Sequence, residues 1–211
     1  MKGQIRLFSL AIAVALLGAL APAQAQTDPM PGLSLGDPAP SADIKMTGVD
    51  GSQTSIADVE GEKGTLVIFS CNGCPWVKAW EDRIADLGNT FQAKGIGVIA
   101  INANDPSQNS EDSFEVMQAR ANEKGFDFPY VVDGTSDVAR AFGATRTPEA
   151  FLFDKDGTLV YHGAIDDNAK DPDNVKEHYL RDALQAVSTG GEVGVKETKA
   201  LGCGIKFRSE A

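Results

Sequence analysis

The stretch "GTLVIFSCNGCPWVKAWEDRIADLGNTF", residues 64–91, places Cys71 and Cys74 between an apolar run and an amphipathic pattern. The run over 64–70 is apolar and contains β-branched residues, which is typical of a strand buried on both faces. The apolar residues after it recur at spacings of three and four, which predicts a helix over about 74–93. They are Val77, Trp80, Ile84, Leu87 and Phe91. The two cysteines therefore lie where a buried strand is followed by a helix.

Shorter patterns on both sides of this stretch predict the rest of an α/β fold. The segment "DIKMTGVDGSQTSIADV" predicts an N-terminal hairpin, and "GIGVIAIN" and "FPYVVD" predict strands. Two more strands, joined by a turn at 155–157, are predicted in "EAFLFDKDGTLVYHG". Helices are expected from a cap at Ser110, with Asp112 in the first turn, to about Gly125, in "SDVARAFGA", and over 174–187. This order predicts a sandwich with a mixed central sheet flanked by helices.

The chain begins with a pattern typical of an export signal. Lys2 and Arg6 precede an apolar run that ends in the small-residue pattern "AQA". This predicts a secretory signal peptide over 1–25, cleaved after Ala25, and a periplasmic or secreted mature protein. A single membrane anchor is the alternative, but the run is short and no second apolar span follows it.

The mature chain is predicted to form one domain with an extension at each end. Residues 26–40 are rich in Pro and Gly and predict an extended lead-in. Residues 41–190 contain all the predicted strands and helices, and their number suits a single domain with its own core. Residues 191–211 form a C-terminal tail that contains Cys203.

The formal net charge at pH 7 is −11, and it becomes more negative when Lys2 and Arg6 are removed with the leader. An acidic surface repels the phosphate backbones of nucleic acids and the headgroups of anionic lipids. The composition therefore argues against nucleic-acid partners, and membrane insertion is not expected after cleavage.

The three cysteines are expected in a compartment where disulfides persist, so at least one is unpaired or exchanges partners. A cysteine at the start of a helix meets free backbone N–H groups and the positive end of the helix dipole, both of which favour the thiolate. We expect Cys71 to be the more acidic and exposed thiol, and Cys74, one turn inside the helix, to be less accessible. Such a pair exchanges disulfides, with Cys71 attacking and Cys74 resolving.

Other uses of the cysteine pair remain open. A zinc site needs further ligands, and only Cys203, His162 and His178 are left, at no recognised ligand spacing. A copper site would join the pair to a distant histidine such as His162. A structural disulfide would close too short a loop to stabilise the fold much. Inert core thiols are disfavoured by the polar turn at Asn72 and Gly73, and no metal ligand set is predicted.

A resemblance rests on four segments, "GDPAP", "VIFSCNGCPWVKAWEDR", "TRTPEAFLFDKDGTLVYHGAIDDN" and "LGCGIKF". Together they resemble the redoxins of the thioredoxin superfamily, and most closely the branch called peroxiredoxin-like or thioredoxin family protein. The resemblance covers residues 36–207. It implies a thioredoxin-like three-layer sandwich with an N-terminal hairpin, the activity of a thiol–disulfide oxidoreductase, and no cofactor other than the redox-active disulfide Cys71–Cys74.

The resemblance also implies a platform for substrate. In the superfamily, the proline after a threonine or similar residue is cis and lies against the CxxC pair, and the matching residues here are Thr147 and Pro148. The Thr147 backbone would bind an extended substrate strand through main-chain hydrogen bonds, with Pro75 and Trp76 beside it. The implied partners are protein or small-molecule thiols and disulfides, and a redox partner that regenerates the pair.

The sequence departs from thioredoxins at positions close to the pair. Thioredoxins commonly carry a buried acid before the first cysteine, where this chain has Thr65. Glu81 lies nearby on the predicted helix, where surface charge is the simpler use. Arg146 replaces a cysteine that members of the branch carry before the Thr-Pro. Its guanidinium would either stabilise a thiolate or be solvated.

The sequence also departs from peroxiredoxins, which carry a Pro and then a Thr or Ser upstream of their reactive cysteine. The matching positions hold Gly64 and Ile68 counted from Cys71, or Val67 and Cys71 counted from Cys74. Neither pattern is present, which makes a thiol peroxidase the weaker alternative.

Cys203 lies between two glycines, with Ile205 and Phe207 available to anchor the tail on the domain. It is either an accessory redox thiol, paired with Cys71 or an external protein, or a small buried hydrophobe. The function predicted is that of an exported thiol–disulfide oxidoreductase. A peroxiredoxin-like peroxidase and a copper- or zinc-binding module are the alternatives.

Overall fold

A seven-stranded mixed sheet runs through the computed structural model, which describes residues 32–209. The strands are β1 (Met46–Gly48), β2 (Gln53–Thr54), β3 (Gly64–Ser70), β4 (Ile96–Asn102), β5 (Tyr130–Val132), β6 (Arg146–Thr147), β7 (Glu149–Asp154), β8 (Leu159–Gly163) and β9 (Cys203–Gly204). Their order in the large sheet is β2-β1-β5-β4-β3-β7-β8, and β6 pairs separately with β9. Strand β3 is parallel to β4 and antiparallel to β7, so the predicted mixed sheet is confirmed.

Helices cover both faces of this sheet and give the predicted three layers. They are α1 (Pro75–Gln92), α2 (Phe114–Lys124), α3 (Asp137–Phe142) and α4 (Tyr179–Ser188). Apolar side chains of α1, α2 and α4 share one buried cluster with the sheet. Those of α3 lie in a second cluster on the opposite face, where Ile205 from the C-terminal part of the chain also packs.

Strand β3 forms the centre of the core because both of its faces are apolar. Leu66 and Ile68 face the α1 side, whereas Val67 and Phe69 face the α3 side. Each of these four side chains is 0% exposed. Side chains alternate across a strand, so four consecutive apolar residues fill both layers and carry the end of β3 into the interior. The cysteine turn that follows therefore starts from a buried position.

Helix α1 begins one residue after Cys74, which corrects the expected position of that cysteine. Pro75 occupies the first helical position, where its missing N–H has no partner to lose. Cys74 is the N-cap, with φ −85° and ψ 123° in the extended region. It thus lies at the helix terminus itself, and Cys71 lies before it in a turn rather than at the start of the helix.

Two other helix starts differ from the sequence prediction. The residues after Ser110 form only a short 3-10 turn, and Ser113 caps α2 by accepting a hydrogen bond from the Val116 N–H. Helix α4 begins at Tyr179 rather than at residue 174. The chain before it is held by hydrogen bonds to a neighbouring loop, such as that from the Lys176 N–H to the Asp167 carboxylate.

The predicted signal peptide over 1–25 and most of the lead-in lie outside the described residues. Within residues 32–209, no helix is both long and apolar enough to cross a membrane. The boundaries predicted for the domain and its tail stay predictions.

Candidate active site

The sulfur atoms of the CxxC pair are both buried. Cys71 is 3% exposed and Cys74 is 2% exposed, so the expected difference in accessibility is wrong. Both side chains pack with Val77, Trp76 and Cys203 in a small cluster at the end of β3. The buried end of that strand and the helix that follows enclose the turn from both sides.

Thr147 brings three cysteines to one place. The Cys71 Sγ lies 3.0 Å from the Thr147 Oγ1, and the Cys74 Sγ lies 3.2 Å from the Thr147 carbonyl oxygen. On the other side of Cys74, the Cys203 Sγ lies 2.6 Å from the Cys74 Sγ. A disulfide joins sulfur atoms at about 2.05 Å, so only a small movement separates these two thiols from a covalent bond.

The Thr147–Pro148 peptide bond is cis, as the resemblance implied. The edge beside it is not free, because the segment of residues 202–208, here called the docked segment, lies against it. Within the segment, β9 runs antiparallel to β6 and places Cys203 opposite Thr147. The protein's own chain thus occupies the main-chain edge that the resemblance assigns to substrate.

The three thiols differ in acidity in a way the sequence did not predict. The hydrogen bond from the Cys71 thiol, followed by those from the Cys203 thiol and the Val77 N–H, lowers the pKa of Cys74 to about 5, against the effect of burial. Donating that hydrogen bond, together with burial, raises the pKa of Cys71 well above its ordinary value. Burial raises the pKa of Cys203 to about 11. The hydrogen bond between the two thiols therefore makes Cys74, and not Cys71, the acidic one, and the Val77 N–H at the start of α1 adds to this effect.

Asp112 holds the cysteine turn in place, a role the sequence analysis missed. Its Oδ1 accepts hydrogen bonds from the backbone N–H groups of Asn72, at 2.7 Å, and Gly73, at 3.1 Å. Its Oδ2 accepts one from the side-chain amide of Asn104 at 2.9 Å. Asp112 is only 2% exposed, and buried carboxylates are rare unless such partners compensate them. Its place in the first turn predicted after Ser110 suggested a helix-end charge instead.

Glu149 fixes the other side of the site. Its Oε2 accepts hydrogen bonds from the N–H groups of Thr145 and Arg146, at 2.8 and 2.9 Å. Its Oε1 lies 2.7 Å from the His162 Nε2, and the His162 ring stacks on Phe151. His162 therefore contacts a structural carboxylate, which gives it a role in shaping the loop before Pro148.

The other predicted site residues lie around the cysteine cluster. Arg146 is exposed, and its guanidinium donates to the Gly202 carbonyl oxygen at 3.4 Å, so it contacts the docked segment. Pro75 is exposed at the start of α1. Trp76 is half-buried and stacks on Trp80 with ring centroids 5.9 Å apart.

Glu81 is buried, not the surface charge that the sequence suggested. It is 3% exposed and lines a small cavity together with Cys71. Burial raises the pKa of Glu81, and the nearby Arg120 and Lys124 oppose that shift. Glu81 is thus a buried carboxyl group beside the cavity that Cys71 lines, whereas Thr65 stands at the position where thioredoxins commonly carry a buried acid.

Within residues 32–209, no group of three or more His, Cys, Asp or Glu side chains is arranged to hold a metal ion. His178 lies apart from the cysteine cluster as the N-cap residue of α4.

The geometry of a strand, a cysteine turn, a helix and a facing cis-proline agrees with the comparison to known families. The model of the AhpC/TSA family matches residues 35–162, which is more than half of the chain. The chain belongs to the AhpC/TSA family.

Known relatives and solved structures agree with this family. The thiol-disulfide oxidoreductase ResA of Geobacillus thermodenitrificans is 27% identical over 127 residues, which cover 60% of this chain and 67% of ResA. An uncharacterised conserved protein from Geobacillus kaustophilus has a crystal structure with TM-score 0.77 and 38% identity, covering 84% of this chain and 94% of that one.

A thioredoxin-like protein, solved in solution in its oxidised form, matches with TM-score 0.62 at 20% identity. That match covers 76% of this chain and 100% of that protein. It confirms the thioredoxin-like fold that the sequence predicted. The AhpC/TSA family and the similarity to ResA identify this protein as an oxidoreductase.

Proposed function

We propose that this protein is an exported thiol–disulfide oxidoreductase in which Cys74 attacks and Cys203 resolves. The observation that carries the proposal is the position of the Cys74 Sγ, at the N-cap of α1 and 2.6 Å from the Cys203 Sγ. A pKa of about 5 makes Cys74 a thiolate at neutral pH, which is the form that attacks disulfides. This reverses the order of attack expected from the sequence, in which Cys71 was the nucleophile.

The exchange proceeds in two balanced steps. The Cys74 thiolate attacks one sulfur of a substrate disulfide, forming a mixed disulfide and releasing the other substrate sulfur as a thiolate. That thiolate takes the proton of the Cys203 thiol, and Cys203 then attacks Cys74. The second substrate sulfur leaves, and the protein holds a Cys74–Cys203 disulfide. Two electrons pass from the protein to the substrate, and an external dithiol, or two thiols, reduces the Cys74–Cys203 disulfide and is itself oxidised to a disulfide.

Cys71 supports this chemistry by activating the Cys74 sulfur. Its thiol donates a hydrogen bond to Cys74, which lowers the pKa of Cys74. Its Sγ is also held 3.0 Å from the Thr147 Oγ1. The CxxC pair of the sequence prediction thus keeps a place in the reaction, with Cys71 as the protonated donor that activates Cys74 rather than as a resolving thiol.

Three single variants test these roles, using reduced protein and oxidised glutathione followed by alkylation and mass spectrometry. Cys203→Ser is expected to accumulate glutathione on Cys74, because the resolving thiol is gone. Cys74→Ser is expected to form no mixed disulfide, and Cys71→Ser, the matched control, to form one and resolve it. A mixed disulfide on Cys71 that Cys74 resolves would restore the order predicted from the sequence. Absence of exchange in every chain would overturn the proposed function.

Export is the part of the proposal that rests on the leader. The signal pattern over 1–25 supports a periplasmic or secreted protein, and a compartment that permits disulfides suits a chain with three clustered thiols. Expression of the full chain should yield an exported protein whose N-terminus is Gln26. Recovery of the uncleaved chain with the cell interior would contradict this part alone.

A thiol peroxidase is the second candidate, and the same sulfur pair favours it. A Cys74 thiolate would be oxidised by peroxide to a sulfenic acid, and Cys203 would then condense with it, releasing water and leaving the Cys74–Cys203 disulfide. The position that peroxiredoxins fill with Thr or Ser is Cys71 here, which weakens this candidate. Rapid trapping of a sulfenic acid on Cys74 in Cys203→Ser would support it, and slow oxidation would exclude it.

A further inference from the structure

The docked segment lies where an extended peptide would meet Thr147, and its sulfur already faces Cys74. We propose that the docked segment occupies the substrate groove, that substrate and segment compete for the Thr147 edge, and that the substrate is an extended polypeptide whose disulfide-bonded cysteine follows glycine. This inference rests on the proposed function. It adds the class of substrate and the means by which access to Cys74 is controlled.

The register of the segment shows how a substrate strand would bind. Cys203 lies opposite Thr147 in the antiparallel ladder, and the Ile205 N–H donates to the Thr145 carbonyl oxygen at 3.0 Å. Main-chain hydrogen bonds of this kind do not depend on the side chains of the bound strand. Any extended chain in the same register would carry its own cysteine sulfur to Cys74.

The groove discriminates between bound peptides at the residue before the cysteine. A Cβ atom on Gly202 would lie 2.2 Å from the Thr147 carbonyl oxygen, which is backbone and has little freedom to move. A Cβ on Gly204, after the cysteine, would have no atom within 4 Å. The groove therefore admits glycine before the cysteine and leaves the next position open.

Hydrogen bonds along the whole segment hold it on the domain, and none of them involves a strand of the seven-stranded sheet. Ile205 is buried in the second apolar cluster, and the Lys206 N–H donates to the Asn104 Oδ1 at 2.9 Å. The Arg208 N–H donates to the Ser136 Oγ, also at 2.9 Å. The ladder with β6 is only two residues long. Short, partly exposed elements of this kind can open locally, at a free energy below that of global unfolding.

The two roles of the segment follow one another in the reaction. It leaves before a substrate can present its disulfide to Cys74, and it returns so that Cys203 can attack the mixed disulfide. Its return also takes back the main-chain edge at Thr147, which removes the hydrogen bonds that held the substrate. Release of the product and re-formation of the closed groove are thus the same movement.

The test compares Gly202→Ala with Gly194→Ala, both in chains that carry Cys203→Ser so that the mixed disulfide persists. Gly194 lies outside the segment and has open space around it, so its variant is the matched control. The probe is the synthetic peptide ALGCGIKF, joined to glutathione through its cysteine. Because opening the groove raises the fraction of binding-competent protein, Gly202→Ala should form the Cys74–peptide disulfide about tenfold faster or more, and Gly194→Ala at an unchanged rate.

Two further readouts separate failure of this inference from failure of the proposed function. Amide hydrogen exchange at Ile205 should be faster in Gly202→Ala, which reports departure of the segment without redox chemistry. A probe with alanine before the cysteine, ALACGIKF, should react about tenfold more slowly with the Cys203→Ser chain, a loss of about 1.4 kcal/mol. If Gly202→Ala does not fold, Ile205→Ala replaces it under the same criteria.

The outcomes are distinct. Faster exchange at Ile205 with an unchanged rate of mixed-disulfide formation overturns competition for the groove, and equal rates for the two probes overturn the glycine requirement. Unchanged exchange of the amide at position 205 in both Gly202→Ala and Ile205→Ala overturns the opening of the segment. If no chain forms a mixed disulfide with either probe, both the proposed function and this inference are overturned.

Discussion

The Asp112 carboxylate lies 2.7 Å from the backbone nitrogen of Asn72, across forty residues of sequence. It also accepts the next N–H, that of Gly73, and the side-chain amide of Asn104. Asn104 in turn accepts the Lys206 N–H of the docked segment. One buried carboxylate thus ties the cysteine turn to the polar group that holds the segment.

Replacing Asp112 with Asn should weaken the hydrogen bonds that hold the cysteine turn and the side chain of Asn104. An asparagine side chain has one acceptor oxygen instead of two, so either the backbone donors or the Asn104 amide loses its partner. A buried donor left without an acceptor costs about 1–3 kcal/mol, and we expect the free energy of unfolding in urea to fall by that amount. The exposed Glu115 in the first turn of α2 provides the control, since Glu115→Gln removes a charge without a buried partner. An equal effect from both variants would contradict a specific role for Asp112.

A second prediction concerns how the reactivity of Cys74 depends on pH. Alkylation requires the thiolate, so the rate at Cys74 should be nearly constant at neutral pH and fall to half near pH 5. Because folding lowers this pKa from 9.0, the ionised thiol stabilises reduced protein above that value, and this contribution is lost as pH falls through about 5. Titration of the ultraviolet absorbance of the thiolate measures the midpoint.

The same titration tests whether the hydrogen bond from Cys71 lowers the pKa of Cys74. Cys71→Ala removes the hydrogen bond with the largest effect and should move the midpoint upward, toward the ordinary value. Cys71→Ser keeps an O–H donor and should move it less. If both variants leave the midpoint unchanged, the acidity of Cys74 comes from its contacts with Cys203 and the Val77 N–H instead.

Much of the fold followed from the sequence because its signals are local. The apolar run of β3, the helical stripe of α1 and the hairpin turns each depend on neighbouring residues, and all were confirmed. The start of α4 was wrong because Lys176 bonds to Asp167 in another loop, a contact that periodicity does not encode.

The site was harder to predict than the fold because its key relationships join distant segments. The cysteines and the Thr147-Pro148 pair carried a family resemblance. Their acidity depended on where α1 begins and on Cys203, which is 129 residues from Cys74. Asp112 and Glu81 looked like ordinary acids at helix positions. Only tertiary packing shows that both are buried beside the cysteine turn.

Glu149 gives a fourth prediction, in which Glu149→Gln is the control for Glu149→Ala. Glu149→Gln keeps an oxygen for the N–H groups of Thr145 and Arg146, and its amide can donate to a neutral His162, so the loss of stability should be small. Glu149→Ala leaves these groups without a partner and should lower the free energy of unfolding by about 1–3 kcal/mol. Urea unfolding of the two variants distinguishes the cases. Equal losses would show that the negative charge, not the hydrogen bonds, fixes the loop.

Gly88, on the buried face of α1, tests the packing of that helix against the chain leading into β5. Alanine is the better helix former by about 1 kcal/mol, which favours Gly88→Ala. Its Cβ, however, would lie 2.2 Å from the ring of Phe128, which is 4% exposed and stacked on Phe126, so the ring has little room to move. Overpacking costs about 1–3 kcal/mol, and we expect this cost to exceed the gain in helix propensity.

The Gly88→Ala protein should therefore unfold at lower urea concentration, with a free energy of unfolding reduced by up to about 2 kcal/mol. Gly134→Ala is the control, because a Cβ there would meet no atom within 4 Å. Its stability should be unchanged or slightly raised, since alanine restricts the unfolded chain more than glycine does. A Gly88→Ala protein that is more stable than its parent would show that Phe128 can move aside, and that helix propensity decides at this position.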